Sequence, residues 1–123
     1  MKRILITGGA GYIGSHTCVE LLRKNFNLIV LDSLVNSSNE VFNKIKLLLK
    51  FSESEIRDKL EFVKGDIRDR NLVKDLFKKY NNMDNRIEGV IHFAGLKSVQ
   101  DSVKYPLRYW DVNVKGTINL LEV

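Results

Sequence analysis

Glycines at 8, 11 and 14, with a further one at 9, lie between a short apolar run, Ile4 to Thr7, and a stretch of helical periodicity. Residues of this type at this spacing hold a diphosphate; they do not break a bond. They let a strand turn sharply into a helix, bring backbone close to a phosphate, and let the helix pack tightly on its strand. The N-terminus of that helix adds free N–H groups and the positive end of its dipole. A tight turn that binds nothing can use the same glycines, so the context decides. Here a strand precedes, a helix follows, and Asp32 closes the next apolar run roughly 20 residues on. A carboxylate there can accept from both hydroxyls of an adenosine ribose, and its charge repels a 2′-phosphate. The expected cofactor is therefore NAD rather than NADP, with a turn or helix cap as the competing role for Asp32.

Two further strand ends carry usable groups. Asp66 follows the run Leu60 to Val63 and can accept from an adenine amino group; its rival role is the N-cap of the next helix. Phe93-Ala94-Gly95 follows Val90-Ile91-His92 and offers small residues beside which a cofactor can pass. His92 sits in an apolar run and reads as a satisfied core histidine, whereas His16, on the first helix, has no visible partner. Cys18 lies among Val19, Leu21 and Leu22 and reads as a small core residue, not a reactive thiol. No His, Cys, Asp or Glu cluster has metal-ligand spacing, and no Ser-His-Asp pattern stands out.

The elements that must position these groups alternate. A first helix runs from Ile13 to Lys24, with Ile13, Thr17 and Leu21 and the pair Cys18/Leu22 on one face. Leu28 to Asp32 is a continuous apolar run ended by a carboxylate, as in a buried parallel strand. Val41, Ile45 and Leu48 mark a second amphipathic helix to about Lys50, and Ser52 to Glu55 has the form of a capping box for a short helix. The third strand is Leu60 to Val63. Asp69 then caps a helix whose Leu72, Val73, Leu76, Phe77 and Tyr80 share a face. The fourth strand is Gly89 to Phe93, followed by a short helix from Val99 to Lys104 and another from Pro106 through Leu120, interrupted at Gly116. Strands alternating with helices predict an α/β, Rossmann-type parallel sheet with right-handed crossovers, helices on both faces and strand order 3-2-1-4. The fourth strand would lack an outer neighbour, and an apolar strand makes a poor edge. The expectation is thus an incomplete sheet, residues 1–123 forming the front part of a larger NAD-binding domain with the substrate domain absent.

Composition narrows the class. Hydrophobic and charged fractions of 44% and 28% are those of an ordinary globular chain. No apolar run approaches the roughly 20 residues of a membrane span, and the strand at the start leaves no room for a signal peptide. One cysteine excludes an intrachain disulfide among these residues and fits a reducing, cytoplasmic setting. On that reading the acceptor sequence Asn36-Ser37-Ser38 for N-glycosylation is chance. The net charge of +5 comes from lysines that alternate with Glu and Asp over several helices, without arginine-rich runs, so no nucleic-acid or membrane partner is expected.

With these residues in place, the chain resembles a known family. Thr7-Gly8-Gly9-Ala10-Gly11-Tyr12-Ile13-Gly14-Ser15-His16 is similar to the opening of the extended short-chain dehydrogenase/reductases. Val90 to Val99, continuing through Ser102-Val103 and Pro106-Leu107-Arg108-Tyr109, resembles the UDP-glucose 4-epimerase family, as does Asn113-Val114-Lys115-Gly116-Thr117. The glycine motif is shared by many sugar-nucleotide enzymes; Phe93-Ala94-Gly95-Leu96-Lys97 is the more specific match. The resemblance implies that Gly8, Gly11, Tyr12, Ile13 and Gly14 line the pyrophosphate. It implies that Asp32, Asn36 and Ser37 hold the adenosine ribose, and Asp66 and Ile67 the adenine. It places Phe93, Ala94, Gly95 and Lys97 along the nicotinamide side, with Asn113 matching the family's helix asparagine. Val112 stands where some members carry a second asparagine, and Gln100-Asp101 replaces a common Gly-Glu.

The family's reaction, interconversion of UDP-glucose and UDP-galactose by transient oxidation at the sugar C4, uses Tyr-x-x-x-Lys with a Ser or Thr. The fourth residues after Tyr12, Tyr80, Tyr105 and Tyr109 are His16, Asp84, Tyr109 and Asn113, so no catalytic residue is assigned within the chain. The resemblance also implies a UDP-sugar substrate and a homodimer built on the 100–123 region, where Tyr105, Tyr109 and Trp110 serve either an interface or the core. Another NAD-dependent sugar-nucleotide epimerase or dehydratase and a non-catalytic NAD-binding module are the competing functions.

Overall fold

The computed structural model describes residues 2–123. Four strands, β1 (Arg3–Thr7), β2 (Asn27–Asp32), β3 (Leu60–Lys64) and β4 (Ile87–His92), form one parallel sheet in the order β3-β2-β1-β4. Between and beyond them lie α1 (Tyr12–Arg23), α2 (Glu40–Leu49), α3 (Glu53–Lys59), α4 (Arg70–Lys79), α5 (Val99–Lys104), α6 (Pro106–Trp110) and α7 (Gly116–Glu122). The expected class, strand order and alternation are all present.

Strand pleat divides the core in two. Ile6, Leu28 and Val30 point toward α1 and α2, meeting Cys18, Val19, Leu22 and Ile45. Leu5, Ile29 and Leu31 point the other way, meeting Val73, Leu76 and Tyr80 of the α4 segment and Leu120 of α7. Because both faces of β1 and β2 are covered, those strands are apolar without alternation. β1 and β2 pair in unbroken register from Arg3–Asn27 to Thr7–Leu31, whereas β1 and β4 shift register between Arg3 and Ile4.

Helix boundaries follow local chemistry. The expected capping box is formed: Ser52 Oγ accepts from Glu55 N at 3.2 Å, and Glu55 Oε2 accepts from Ser52 N at 2.8 Å. Asp69 caps α4 by accepting from Leu72 N at 3.0 Å, so the cap role considered for Asp66 falls to Asp69.

The segment after Pro106 departs from expectation. Instead of one α-helix weakened at Gly116, Asp111–Lys115 winds as a π-helical turn between α6 and α7. Gly116 is no interruption; it is buried, and a Cβ there would come within 2.6 Å of Ile67 Cδ1. Tyr105 and Trp110 are exposed among the described residues. The Tyr109 hydroxyl instead accepts from Ser98 N at 2.9 Å, tying α5 to α6. No described helix is long and apolar enough to cross a membrane.

Candidate functional site

A parallel sheet gathers its strand ends on one side, and here the four C-terminal ends open into one cleft of about 510 Å³. The β1–α1 turn forms its floor. Gly8 adopts φ +68°, and its N–H donates to Leu31 O at 2.8 Å, locking the turn to β2. A Cβ on Gly8 would lie 2.6 Å from Ala94 N, and one on Gly14 only 2.3 Å from Gly8 O. Chain and helix are therefore packed at backbone distance, which no other residue type permits. Gly11 precedes α1 as its N-cap without a side-chain cap, and no acidic residue occupies the first helical turn. The helix start offers N–H groups and a positive dipole end to an anion.

Asp32 ends β2 and is 9% exposed. Its Oδ2 accepts from Ala10 N at 2.9 Å, while Oδ1 accepts from Leu34 N at 2.8 Å and from Ser37 Oγ at 3.1 Å. The turn-capping role is thus made, and the bond from Leu34 N holds that bulky residue at φ 60°, in the left-handed region. A carboxylate offers about four acceptor positions, so one remains for a further donor. Ser37 donates its proton to Asp32 and keeps acceptor capacity toward the cleft, beside Asn36.

At the end of β3, Asp66 is half-buried and held by Arg68. The guanidinium donates through Nη2 to Oδ2 at 2.8 Å and through Nε to both oxygens, and Arg68 N donates to Oδ1 at 2.8 Å. These hydrogen bonds hold the Asp66 carboxyl below the usual carboxylate range. Arg68 also reaches Asp111 in the π-helical turn at 3.0 Å, which lowers that carboxyl too and raises the guanidinium. Ile67 divides its duties: the residue lines the cleft, but it is buried in the core under Gly116.

The loop after β4 forms the remaining wall. Phe93, Ala94, Gly95 and Lys97 all border the cleft, with Lys97 exposed. Asn113 does not border it. Its Oδ1 accepts from Leu96 N at 2.8 Å and its Nδ2 donates to Leu96 O at 3.0 Å, so the amide braces the loop from behind.

Of the residues singled out in the sequence, Gly8, Gly11, Tyr12, Asp32, Asn36, Ser37, Asp66, Ile67, Phe93, Ala94, Gly95 and Lys97 come together along the cleft. Ile13 and Gly14 are not among the residues that line it, and Asn113 reaches it only through Leu96. Arg68, Arg108, Asp101 and Val112 also line it, and the sequence assigns none of them a place in the site. For Arg68 a signal was available, since an Asp-x-Arg triplet after a strand places opposite charges across one turn. For the others only the fold of α5 and α6 brings them near.

His16, read as partnerless, bonds through Nδ1 to Tyr12 O at 2.7 Å and stacks obliquely on the Tyr12 ring. Cys18 is fully buried, and burial pushes its thiol up to about 12. Among the described residues no three His, Cys, Asp or Glu side chains are gathered as a metal site needs.

Comparison with known proteins yields a consistent set. Residues 5–123 match the family described as GDP-mannose 4,6 dehydratase. A UDP-glucose 4-epimerase from Bacillus subtilis is 50% identical over 120 residues, covering 97% of this chain but 32% of the relative. Among solved structures, a UDP-glucose 4-epimerase from Stenotrophomonas maltophila with bound NAD and formylated UDP-arabinopyranose superposes with TM-score 0.83 and 41% identity, over 99% of this chain and 33% of that one. The enzyme from Bifidobacterium longum, in complex with NAD+ and UDP, gives TM-score 0.84 and 36% identity over 98% and 32%. The chain spans about a third of the length of the relatives it matches.

Proposed function

Because this chain belongs to the family described as GDP-mannose 4,6 dehydratase, we propose that it forms the NAD-binding part of a UDP-glucose 4-epimerase. The observation that carries this reading is the glycine turn in its setting: it is packed at backbone distance against the loop after β4, and it leaves the uncapped start of α1 open to the cleft beside Asp32. The similar proteins from Stenotrophomonas maltophila and Bifidobacterium longum carry NAD in their crystals, which supports the same cofactor here.

The residues present fit that group. Gly8, Gly11, Tyr12, Ile13 and Gly14, with the start of α1, would receive the pyrophosphate, Gly14 also letting the helix pack on the turn. Asp32 would accept from the adenosine ribose with its remaining acceptor position, flanked by Asn36 and Ser37. Asp66 and the Ile67 backbone would meet the adenine. Phe93, Ala94, Gly95 and Lys97 would border the nicotinamide side, Lys97 adding positive potential, with Asn113 as a brace. NAD, when bound, supplies reversible hydride acceptance, the chemistry by which an epimerase oxidises the sugar C4 transiently. This chain's own work is to bind, orient and exclude water. The acid/base residues, and the UDP-sugar pocket, belong on this reading to sequence outside these 123 residues. So does the interconversion of UDP-glucose and UDP-galactose, in a cytoplasmic homodimer whose contacts include exposed Val103, Leu107, Trp110 and Leu121.

Calorimetric titration with NAD and NADP in parallel tests the cofactor assignment. Saturable binding of NAD with at least tenfold weaker NADP is expected, since a 2′-phosphate would meet the Asp32 carboxylate. Equal binding of both, or of neither, overturns it. The family description keeps a sugar-nucleotide dehydratase as the second reading. Product analysis of the longer polypeptide with UDP-glucose separates the two, because an epimerase yields UDP-galactose and a dehydratase a 4-keto-6-deoxy sugar.

A further inference from the structure

The loop that closes the cleft on the β4 side is held by a directed chain of hydrogen bonds that passes through His92. Asn113 O is a carbonyl and can only accept, so the Thr117 hydroxyl, 2.6 Å away, must donate its one proton there. Thr117 Oγ1 can then only accept from His92 Nε2, at 3.0 Å, and that nitrogen carries a proton. The other ring nitrogen, Nδ1, contacts Thr7 Oγ1. Thr7 is fully buried, so no solvent can serve its hydroxyl, and the same oxygen already accepts from Ala94 N at 3.2 Å. The arrangement closes when Thr7 donates to an unprotonated Nδ1 and uses a lone pair for Ala94. Every donor then has one acceptor, and the chain runs Ala94 to Thr7 to His92 to Thr117 to Asn113.

We propose that His92, as a neutral imidazole protonated at Nε2, is a positioning residue for the cofactor cleft: it directs the Thr7 hydroxyl so that the Ala94 N–H is held against the glycine turn. This rests on the dinucleotide reading of the cleft. The location makes the bond consequential. Ala94 N lies where a Cβ of Gly8 would stand, and Asn113 braces Leu96 two residues on, so the 93–97 wall is fixed at both ends by one connected chain. Burial lowers the pKa of His92, which agrees with a neutral ring. If Nδ1 became a donor instead, Thr7 Oγ1 would accept from both Nδ1 and Ala94 N, and its own buried proton would be left without an acceptor.

Two measurements test this. Imidazole 15N spectra of the wild-type protein at neutral pH are expected to show His92 protonated at Nε2 and an acceptor-type nitrogen at Nδ1. A ring protonated at Nδ1, or at both positions, overturns the assignment whatever the binding data say. In NAD titrations, Thr7→Val and His92→Phe are each expected to weaken binding about tenfold, while Thr7→Ser, which keeps the hydroxyl, stays within about twofold of wild type. Wild-type binding that Thr7→Val leaves unchanged overturns this inference alone. Absence of NAD binding by the wild type removes the dinucleotide reading, and this positioning role with it.

Discussion

The cleft has two walls built on opposite terms. On the β1–β2 side the strands are interior: Leu5, Ile6, Ile29, Val30 and Leu31 are wholly buried, with helices over both faces. On the β4 side the strand has one neighbour among the described residues, Val90 is 42% exposed, and the helices that follow leave Val103 at 80%, Leu107 at 83% and Leu121 at 81%. The first wall is held chiefly by apolar burial and backbone contact, with the Asp32 carboxylate tying the two strand ends together. The second is held by side-chain hydrogen bonds: Thr7 and His92 at one end of the loop, Asn113 at the other. Burial is cooperative and insensitive to any one polar group, whereas a chain of hydrogen bonds depends on each donor having its acceptor. Among the described residues, the β1–β2 end of the cleft thus rests on the most buried part of the sheet, and the β4 end on a more exposed part.

The largest effect that would sharpen this contrast comes from equal truncations on the two strands. Ile29→Ala removes a fully buried side chain on β2 and is expected to cost about 2–5 kcal/mol. Val90→Ala, at an exposed position on β4, is expected to cost less than about 1 kcal/mol. Urea denaturation of both variants measures the difference. Equal losses would mean that β4 is as deeply supported as β2, and the two-wall description fails.

A smaller effect in stability, but a larger one in binding, is expected at the hinge between the walls. Gly14→Ala places a methyl 2.3 Å from Gly8 O and 2.8 Å from Gly9 Cα, contacts that only a shift of the turn can relieve. Overpacking of this kind costs about 1–3 kcal/mol. The displaced turn would also lose its closure on α1, so NAD binding should fall below detection in calorimetry. Retained affinity with a normal denaturation midpoint would show that the turn has slack and that binding does not depend on the packing at Gly14.

How far the sequence disclosed these walls follows the range of the forces involved. β1, the glycine turn, α1, the Ser52–Glu55 capping box and the Asp69 cap are set by residues within a few positions of each other, and each stands where periodicity and cap chemistry put it. The strand order also followed, because short right-handed crossovers leave little choice. What escaped is tertiary. Asp111–Lys115 has helical residues throughout, and nothing local distinguishes a π turn from an α one; the turn becomes visible only with Arg68 on Asp111 and Asn113 on Leu96. Ile13 and Gly14 belong to the motif without lining the cleft themselves, since a motif records the fold of a turn as well as its contacts. His92 read correctly as a satisfied histidine, yet its partners, Thr7 and Thr117, lie far off in sequence on β1 and α7.

The smallest expected effect separates the two ends of the cleft by charge. Arg68 links Asp66, below the adenine end, to Asp111 in the π-helical turn behind the β4 wall. Its side chain and both carboxylates are 35–40% exposed, so solvent and salt screen the attraction, and Arg68→Gln should shift the melting midpoint by no more than a few degrees. The sharper consequence concerns protonation. Asp66 titrates below its ordinary range because Arg68 donates to it, so the stability it contributes is present above the unfolded carboxyl's pKa and is lost as pH falls through the folded one. Without the guanidinium the two values draw closer, the Arg68 N–H still lowering the carboxyl, and that acid-side slope should shrink. A 13C titration of the Asp66 carboxyl in wild type and Arg68→Gln reads this directly, with the variant expected to titrate at higher pH. NAD affinity should fall only a fewfold, because the Arg68 N–H still orients Asp66 Oδ1. An unchanged Asp66 titration would show that the backbone alone sets this carboxylate, and that no charge link joins the two walls.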